Sequence, residues 1–547
     1  MILTGADLIV LELQRAGVTW VSTLCGNGLD PFYVACRKAG IRLIDTHNEQ
    51  AAAYMADAYA RLTNRIGVCA VSSGIAHSNA LTGVANAFFD GAPLLLITGA
   101  SAGYGANRGV FQEFDQVALA APICKFSKWV SRTSDLVFSV RQALSAASSG
   151  RPGPVHLTVP IDVLEEKVDT SIGAVKNSSV QTTLGEEVDG LINEAVEIIK
   201  RAQSPLLIAG SGVFYANGQE ALTHFSEASA IPIVTPIWDR GAFERSHANF
   251  LGVVGAASGE PQLLEDADLI ILAGARVDYR VGFLMPPKVR EDVFIIRIDR
   301  DVCELRQGIE PDLSIAANPA QALDQIAAGL RSPGEPPHRK WLEQARERWR
   351  LFRHRWTEKP PSLTKPMTGL DIVEALRPLL TNDILFLIDG GNIGQWAHML
   401  LADHYPSHWL TCGASAVVGW GIPGAMAAKL AYPDRDVLLL SGDGAFGFTI
   451  TELESAVRHK LPFVAVVAND SAWGIVTCDQ RRRFGEEGVI ASRVGPIRFD
   501  QAAEALGANG LRIEDSKELP AAIRKGFSAD QPTVIDVPTC VGGPADI

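Results

Sequence analysis

The sequence predicts an α/β fold of three parallel-sheet domains, of which the first and the third are related. Residues 437–469 read VLLLSGDGAFGFTITELESAVRHKLPFVAVVAN, the order of strand, glycine-rich turn, helix and strand that is typical of a crossover unit in a parallel sheet. Residues 68–98 align without gaps on the residues from 437 onward and share this layout. Between these two segments, strand-like runs alternate with helical segments and indicate another parallel sheet. These runs are PLLIAG at 205–210, IPIVTP at 231–236, LIILAG at 269–274 and VFIIRID at 293–299.

The domain boundaries follow from length and composition. The chain has 547 residues, which is too many for one hydrophobic core. We expect a first domain over 1–165, a middle domain over 187–332 and a third domain over 367–540. The polar stretch 169–187 and the charged, proline-flanked stretch 331–366 are the predicted linkers. The alternating charges of the second linker are interpreted as a solvated helix face.

The bulk composition limits the possible partners. A net charge of −13 and the lack of a long basic run disfavour nucleic acid, and no apolar stretch reaches the roughly 18 residues that a membrane span needs. The first residues, MILTGADLIVLELQRAG, predict an amphipathic helix rather than a secretion signal. The eight cysteines are dispersed, as in proteins of a reducing compartment. We therefore expect a cytoplasmic protein with no nucleic-acid or membrane partner.

The Gly-Asp-Gly turn predicts a metal site. Asp443 follows the first strand of the crossover unit, and Asn469 ends the second. Ligands bind at the carboxyl edge of such sheets, and carboxylate and amide oxygens suit Mg²⁺ that carries phosphates. The other interpretation is an ordinary tight turn, which the position between strand and helix disfavours. The equivalent of Asp443 in the first domain is Gly74, so only the third domain carries the metal turn.

Three further motifs accompany this turn. They are IDTHNEQAAAYMADAYAR at 44–61, VFQEFDQVALAAPICKFSKWV at 110–130 and GASAVVGWGIPGAMAAKLA at 413–431. With Gly-Asp-Gly and the Asn 26 residues after its Asp, the chain resembles the thiamine-diphosphate enzymes of the acetolactate synthase and pyruvate decarboxylase type. The resemblance covers essentially the whole chain, in the order pyrimidine-binding, middle and diphosphate-binding domain.

The resemblance implies a set of cofactor residues. Mg²⁺ would be bound by Asp443, Asn469 and the main-chain carbonyl of Ser471. Backbone N–H groups of Gly442, Gly444 and Ala445 would bind the diphosphate. Val418 would hold the bent cofactor conformation, and the Ala416 carbonyl would accept from its 4′-amino group. The cofactor's other side would be reached by Gly391, Asn392 and Gln395.

The resemblance also implies catalytic residues and an oligomer. Glu49 would hydrogen-bond the N1′ atom of the cofactor, which promotes the ylid; the alternative is that Glu49 merely begins the helix that follows it. Gln112 stands at the family's active-site glutamine. Because one cofactor is shared between two chains in this family, a homodimer or homotetramer with active sites between chains is implied.

The reaction class stays open at this point. The family makes or breaks a C–C bond next to a carbonyl through an ylid and an enamine. The resemblance implies an acetolactate-synthase-like carboligase or lyase that acts on a small carbonyl substrate, a 2-keto acid or a 2-hydroxy ketone, with a 2-hydroxyacyl-CoA lyase as an alternative. LGVVG at 251–255, GARVDYR at 274–280 and Lys125 suggest an acetolactate-synthase-like carboligase, whereas Asp479 replaces that enzyme's Trp. IRLIDT, DQVALAAPICK and NDSAWG are more similar to benzaldehyde lyase and the 2-hydroxyacyl-CoA lyases. A 2-keto acid decarboxylase and a catalytically silent homologue are the remaining alternatives, and the retained site residues disfavour the silent one.

The substrate pocket and the middle domain complete the expectations. Asn27, Gly28, His77 and Gln112 would line the mouth above the thiazolium, with Gly28 at the position of the benzaldehyde lyase histidine. His77 replaces a small residue of the family pattern, so it either faces the substrate or packs in the core. IAGSG at 208–212 and GARVDYR lie where relatives bind FAD or ADP, and an empty middle domain is the alternative.

Overall fold

A computed structural model describes residues 2–106, 108–169, 186–240, 247–255, 263–331, 333–357 and 366–543. Three six-stranded sheets, each wholly parallel, organise these residues. Almost all of the first predicted linker and the proline-rich end of the second lie outside the described residues. No described helix has the length and apolar character needed to cross a bilayer.

The first sheet has the strand order β3-β2-β4-β5-β7-β6. The predicted N-terminal helix is present as α1 and begins after Thr4, which forms a capping box with Asp7. The strands are β1 (Ile2–Thr4), β2 (Trp20–Leu24), β3 (Arg42–Asp45), β4 (Gly67–Val71), β5 (Leu94–Ala100), β6 (Phe126–Trp129), β7 (Val155–Pro160) and β8 (Lys167–Asp169), of which β1 and β8 form a separate antiparallel pair. The helices are α1 (Gly5–Arg15), α2 (Asp30–Ala39), α3 (Glu49–Thr63), α4 (Ile75–Asp90), α5 (Gln116–Ala120), α6 (Leu136–Ser148) and α7 (Ile161–Glu165).

The middle sheet has the order β11-β10-β9-β12-β13-β14. Its four predicted strands are present, and two further strands complete the edges. The strands are β9 (Pro205–Ala209), β10 (Ile233–Pro236), β11 (Phe250–Val254), β12 (Leu269–Ala273), β13 (Phe294–Asp299) and β14 (Leu313–Ala316). The helices are α8 (Glu186–Arg201), α9 (Ser211–Tyr215), α10 (Gln219–Ser229), α11 (Val302–Leu305), α12 (Pro319–Leu330) and α13 (Arg339–Thr357). The charged segment α13 is more than a linker, because its Trp341, Ala345 and Trp349 are buried in a core cluster, while most of its described charged side chains are exposed.

The third sheet has the order β16-β15-β17-β18-β20-β19. The strands are β15 (Ile384–Ile388), β16 (His408–Thr411), β17 (Asp436–Gly442), β18 (Val464–Asn469), β19 (Asn509–Arg512) and β20 (Thr533–Pro538). The helices are α14 (Gly369–Leu376), α15 (Asn392–Leu400), α16 (Gly421–Ala431), α17 (Asp443–Phe448), α18 (Glu452–His459), α19 (Gly474–Phe484), α20 (Phe499–Ala505) and α21 (Leu519–Phe527). The single helix predicted after the Gly-Asp-Gly turn is two helices, separated by Thr449, Ile450 and Thr451, whose β-branched side chains disfavour helix.

The first and third sheets share one topology. Numbered within each sheet, their strands run in the order 2-1-3-4-6-5, whereas the middle sheet runs 3-2-1-4-5-6. The strands that the internal alignment pairs, β4 with β17 and β5 with β18, hold the same places in the two sheets. The predicted fold class, including the relation between the first and third domains, is therefore confirmed.

The described residues form two compact units. The first contains the N-terminal sheet with its helices, together with α18 and the part of α16 from residue 422 onward. The second contains the middle and third sheets with the remaining helices. Within the second unit, the Tyr279 hydroxyl donates to the Ala414 carbonyl at 2.7 Å, and the Thr411 hydroxyl donates to the Trp238 carbonyl at 2.8 Å. Loops of the middle sheet are thus joined to loops of the third.

Candidate active site

A cavity of about 300 Å³ lies at the carboxyl edge of the third sheet, within the second unit. Its walls are the Gly-Asp-Gly turn, the turn that opens α15, the segment after β16 and the start of α19. The cavity includes nine of the residues expected to bind the cofactor: Gly391, Asn392, Gln395, Ala416, Val418, Gly442, Asp443, Gly444 and Ala445. The structure therefore brings together expected residues from three separate stretches of the third domain.

The glycines of the Gly-Asp-Gly turn are required by close packing. A Cβ atom on Gly442 would lie 2.8 Å from the Gly390 carbonyl oxygen, and one on Gly444 would lie 2.7 Å from the Trp473 ring. The Gly442 N–H donates to the Gly390 carbonyl at 2.8 Å. The expectation that this N–H binds diphosphate needs correction, because the N–H already has a main-chain partner. Gly442 contributes space, which lets the two turns approach each other.

Two carboxyl groups line the cavity, the buried Asp443 and the half-buried Asp470. Asp443 is only 3 % exposed, and its Oδ2 has no hydrogen-bond partner in the part of the chain that the structure describes. Burial raises the pKa of both carboxyls, and the charge of Asp443 raises the pKa of Asp470 further. A cation between them would offset both the burial and the repulsion. The motif analysis missed Asp470, although it directly follows the predicted ligand Asn469.

The amide of Asn469 is oriented by its neighbours. Its Nδ2 donates to the Ile497 carbonyl at 2.9 Å and to Asp536 Oδ1 at 2.8 Å, so the oxygen is the end left for a metal. The Ser471 hydroxyl donates a long hydrogen bond to that oxygen, at 3.5 Å. Asn469 itself does not line the cavity, whereas Ala468 and Asp470 on either side of it do. No cluster of three or more His, Cys, Asp or Glu side chains that could hold a metal occurs among the described residues, so the expected set depends on amide and carbonyl oxygens.

Three expected site residues have left-handed backbone conformations that non-glycine residues rarely adopt. Gln112, Ala416 and Ser471 each have φ +54°. Such conformations cost on the order of 1–3 kcal/mol and persist where the surrounding structure imposes them, often at functional sites. For Ala416 and Ser471, the expected role belongs to the main-chain carbonyl, whose direction this conformation sets.

Asp389 supports the turn that opens α15, and the sequence analysis did not select it. Its carboxylate accepts from the Gly390 N–H at 2.7 Å and from the Gly421 N–H at 2.8 Å. Burial raises the pKa of Asp389 to about 6. The sequence could have indicated Asp389, because it is an acidic residue directly after the apolar run ILFLI. The position of Asp443 after a predicted strand is similar.

The cavity also has apolar walls that the motifs did not indicate. Trp238 reaches it from the middle domain, and Trp473 packs against Gly444. Ile475 and Val476, at the start of α19, line it while remaining 39 % and 49 % exposed. The cavity is thus apolar where α19 meets solvent.

The remaining expected residues lie at the carboxyl edge of the first sheet, in the first unit. Glu49 is the first residue of α3, and its Oε2 accepts from Asn79 Nδ2 at 3.0 Å. Gln112 is exposed and packs over Gly74, where a Cβ atom would lie 2.3 Å from Gln112 Cβ. Asn27 is exposed, and the buried Gly28 has φ +95° with its Cα against the backbone of Ala100.

His77 does not line an open mouth in this structure. Its side chain is fully buried on α4, its Nδ1 lies 3.1 Å from the Thr98 hydroxyl, and its ring centroid lies 4.7 Å from that of His156. Burial lowers the pKa of His77 to about 4. Of the two interpretations, packing in the core is the one that matches this position.

Two features that suggested acetolactate synthase have structural partners. Lys125 Nζ donates to the carbonyl of Arg151 at 2.7 Å and also to that of Ser149. In GARVDYR, the buried Arg280 pairs with Asp278 at 2.8 Å, and Tyr279 is bonded to Ala414. These contacts give Lys125 and the GARVDYR segment structural roles that need no bound ligand.

The fold and the cavity together define a cofactor-dependent α/β enzyme, and family models make the class specific. Residues 3–119 match the N-terminal TPP binding domain of thiamine pyrophosphate enzymes, residues 192–326 match the central domain, and residues 389–537 match the C-terminal TPP binding domain. The chain belongs to the thiamine pyrophosphate (thiamine diphosphate) enzymes and is an enzyme of the carboligase or lyase type. The resemblance drawn from the motifs is thereby confirmed.

Curated relatives span almost the whole chain. It is 30 % identical to 2-hydroxyacyl-CoA lyase 2 of Mus musculus over 560 residues, which cover 95 % of this chain and 87 % of the relative. It is 30 % identical to the human protein of the same name, over 94 % of this chain and 86 % of the relative. It is also 30 % identical to the acetolactate synthase large subunit IlvG of Mycobacterium tuberculosis, over 97 % and 95 % of the two chains.

Proposed function

We propose that this chain is a Mg²⁺-dependent thiamine-diphosphate lyase that cleaves the C–C bond between the carbonyl and hydroxyl carbons of 2-hydroxyacyl substrates. The observation that carries the cofactor part is the buried Asp443 beside the half-buried Asp470, at the ends of two neighbouring strands, with Asp443 Oδ2 lacking a hydrogen-bond partner among the described residues. The substrate part is supported by the apolar start of α19 and by relatives named as 2-hydroxyacyl-CoA lyases.

The metal would be held by oxygens of three residues, of which the Ser471 carbonyl also accepts from the Val494 N–H at 2.8 Å and would use its second lone pair. We assign them to the Asp443 carboxylate, the Asn469 amide oxygen and the Ser471 carbonyl. Hard oxygen donors of this kind suit Mg²⁺ bound to phosphates. Asp470 would add a second negative charge beside the ion. The positive charge of the ion would then lower the cost of holding two carboxylates close together away from water.

The diphosphate and the rings would lie along the cavity walls. Ala445 on one side, and Asn392 and Gln395 on the other, are the groups we assign to the diphosphate. The Gly444 N–H, like that of Gly442, already has a partner, since it donates to Asp443 Oδ1 at 2.8 Å. Gly391 has φ +113°, and a Cβ atom there would lie 3.0 Å from Gly442 Cα, so it keeps the two walls close. Val418 would support the bent cofactor, and the Ala416 carbonyl would accept from its amino group.

The chemistry needs a proton exchanged at the pyrimidine ring. Thiamine diphosphate, when bound, supplies a nucleophilic carbon that adds to a carbonyl and then accepts the charge of the breaking bond. Glu49 would exchange a proton with the N1′ atom, and Asn79 would hold its carboxylate through the 3.0 Å hydrogen bond. Gln112, Asn27 and Gly28 would lie on the substrate side. Glu49 would act in a site completed by a second chain, so the active form would be a homodimer or homotetramer.

A second candidate is carboligation of 2-keto acids, as in acetolactate synthase. The relative named as an acetolactate synthase large subunit matches over 97 % of this chain, which favours it. Against it, Lys125 and GARVDYR are explained by structural contacts. We therefore place cleavage first.

The test is a substrate comparison on the purified protein with thiamine diphosphate and Mg²⁺. Cleavage of a 2-hydroxyacyl-CoA would release an aldehyde one carbon shorter and a one-carbon acyl-CoA, and we expect these products. Pyruvate alone would give acetolactate and CO₂ if the second candidate is right. If Asp443→Ala loses the activity that the wild type shows, that activity depends on the proposed site. A wild-type protein that is active with neither substrate class would contradict both candidate functions.

A nucleotide in the middle domain is a separate proposal. The sheet order 3-2-1-4-5-6 is one that binds nucleotides at the switch point beside its first strand. The glycines there also have a packing role, since a Cβ atom on Gly210 would lie 2.4 Å from the Gly274 carbonyl oxygen. Chromatography of molecules released from denatured protein tests it: about one FAD or ADP per chain would support the proposal, and none would contradict it.

A further inference from the structure

We propose that Glu452 is a positioning residue for Glu49. Its buried carboxylate fixes the backbone of the turn 45–48, from which Glu49 projects. The inference depends on the proposed role of Glu49 and adds a residue that neither the cofactor motifs nor the cavity includes. Both residues belong to the first compact unit.

The contact is a buried carboxylate on a backbone N–H. Glu452 is 0 % exposed, and both of its carboxylate oxygens lie 3.0 Å from the His47 nitrogen. The Ser455 hydroxyl donates to Glu452 Oε2 at 2.8 Å. A buried carboxylate without hydrogen bonds is very unfavourable, so this one is stable only while the turn keeps its N–H groups in place. Burial raises the pKa of Glu452, while the N–H groups of His47 and Asn48 lower it.

Other residues of α18 contact the same turn, but they are more exposed. Glu454 Oε2 lies 2.8 Å from His47 Nε2, and His459 Nε2 lies 2.8 Å from Asp45 Oδ1. The Glu454 and Asp45 side chains are 37 % and 44 % exposed. Exposed pairs of this kind contribute little to stability, whereas leaving a buried hydrogen-bonded group without its partner is clearly destabilising. His459, which is 13 % exposed, also lies 3.2 Å from the Asp45 nitrogen. Glu452 is the more deeply buried of the two contacts to the backbone of the turn.

The turn determines where the Glu49 carboxylate can lie. Asn48 caps α3 by accepting from the Gln50 N–H at 2.8 Å, and Glu49 is the first helical residue. Glu49 then reaches Asn79, on the neighbouring helix α4, at 3.0 Å. A displacement of about 1 Å in a reacting group can lower the rate about a hundredfold. Relaxation of the turn would thus lower catalysis without touching the cofactor or the substrate.

The experiment compares Glu452→Ala and Glu452→Gln with Glu454→Gln as the matched control on the same helix. In holoenzyme, we expect Glu452→Ala to lower kcat about a hundredfold, with KM and the thiamine-diphosphate Kd changed by less than about threefold. Glu452→Gln keeps the buried shape and one acceptor oxygen, so we expect a smaller loss, about tenfold. Glu454→Gln should stay within about twofold.

A second measurement follows the turn itself. Amide hydrogen–deuterium exchange over residues 44–50 should accelerate in Glu452→Ala, and H/D exchange at C2 of the bound cofactor should slow by about the same factor as kcat. If amide exchange over residues 44–50 and C2 exchange are both unchanged in folded Glu452→Ala and Glu452→Gln, the proposal is overturned. It is also overturned if Glu454→Gln loses as much kcat as the Glu452 variants. If Glu49→Gln leaves C2 exchange unchanged, the proposed role of Glu49 fails instead. The two failures are therefore distinguishable.

Discussion

The Asn469 amide nitrogen donates a hydrogen bond to the buried carboxylate of Asp536 at 2.8 Å, and this contact leaves the amide oxygen as the end available to a metal. Asp536 also pairs with Arg512 at 2.7 Å. We predict that Asp536→Asn weakens Mg²⁺ binding about tenfold to a hundredfold, because partners that orient metal ligands have effects of this size. Titration of Mg²⁺ into protein with saturating thiamine diphosphate measures it. The exposed Asp530→Asn is the control, and an unchanged affinity in Asp536→Asn would contradict the assigned orientation.

Glu49→Gln should bind thiamine diphosphate normally but lose turnover. The amide has nearly the same shape and keeps an acceptor for Asn79, yet it cannot exchange a proton with N1′. General acid–base catalysis contributes about a hundredfold to ten-thousandfold, and the loss should fall in that range. H/D exchange at C2 of the bound cofactor checks the step directly. An unchanged exchange rate would refute the role of Glu49.

Lys125→Ala should cost stability and leave kcat/KM within about twofold. Its ammonium donates to the Ser149 and Arg151 carbonyls, and it is assigned no contact with substrate. A lost hydrogen bond to a charged group costs about 1.5–3 kcal/mol when buried and less at an exposed position such as this. Denaturant midpoints and steady-state kinetics on the same preparations test it. A large rise in KM for a 2-keto acid with unchanged stability would restore the acetolactate synthase interpretation of Lys125.

His77→Ala should lower stability near pH 7 and reduce its dependence on pH. Burial lowers the pKa of His77 to about 4 in the folded state, against about 6.5 when unfolded. Between these values the unfolded chain binds more protons, so the wild type loses stability as pH falls from about 6.5 to about 4. The variant should lose less over this range, and its turnover per folded molecule should stay within a few-fold. A selective loss of turnover with unchanged stability would place His77 at the substrate instead.

The sequence predicted the fold and the site best for residues whose role follows from their place in a strand–turn–helix unit. The equivalence of β4 and β17 was visible because residues 68–98 and those from 437 onward kept the same order of apolar runs and turn. The edge strands β11 and β14 were not predicted. In β14, buried and exposed residues alternate over only four positions.

The site was predictable as far as local motifs extend. Asp443 and Val418 lie in motifs, and both line the cavity. Trp238 is brought there from another domain by tertiary packing, which no local pattern reports. The side chain of His77 was also undetermined, because the spacing along α4 does not say whether the ring meets Thr98 and His156 or faces outward.

The central claim is that Asp443 holds a metal that carries thiamine diphosphate. Calorimetric titration of thiamine diphosphate into the wild type and Asp443→Ala, each with Mg²⁺ and with chelator, tests it most directly. We predict tight binding only for the wild type with Mg²⁺. Circular dichroism and the thermal midpoint should change little in the variant, because Asp443 is the first residue of α17 and belongs to no hydrophobic core cluster of the described residues. Equal affinity in the wild type and the variant, or in the wild type with and without Mg²⁺, would contradict the account.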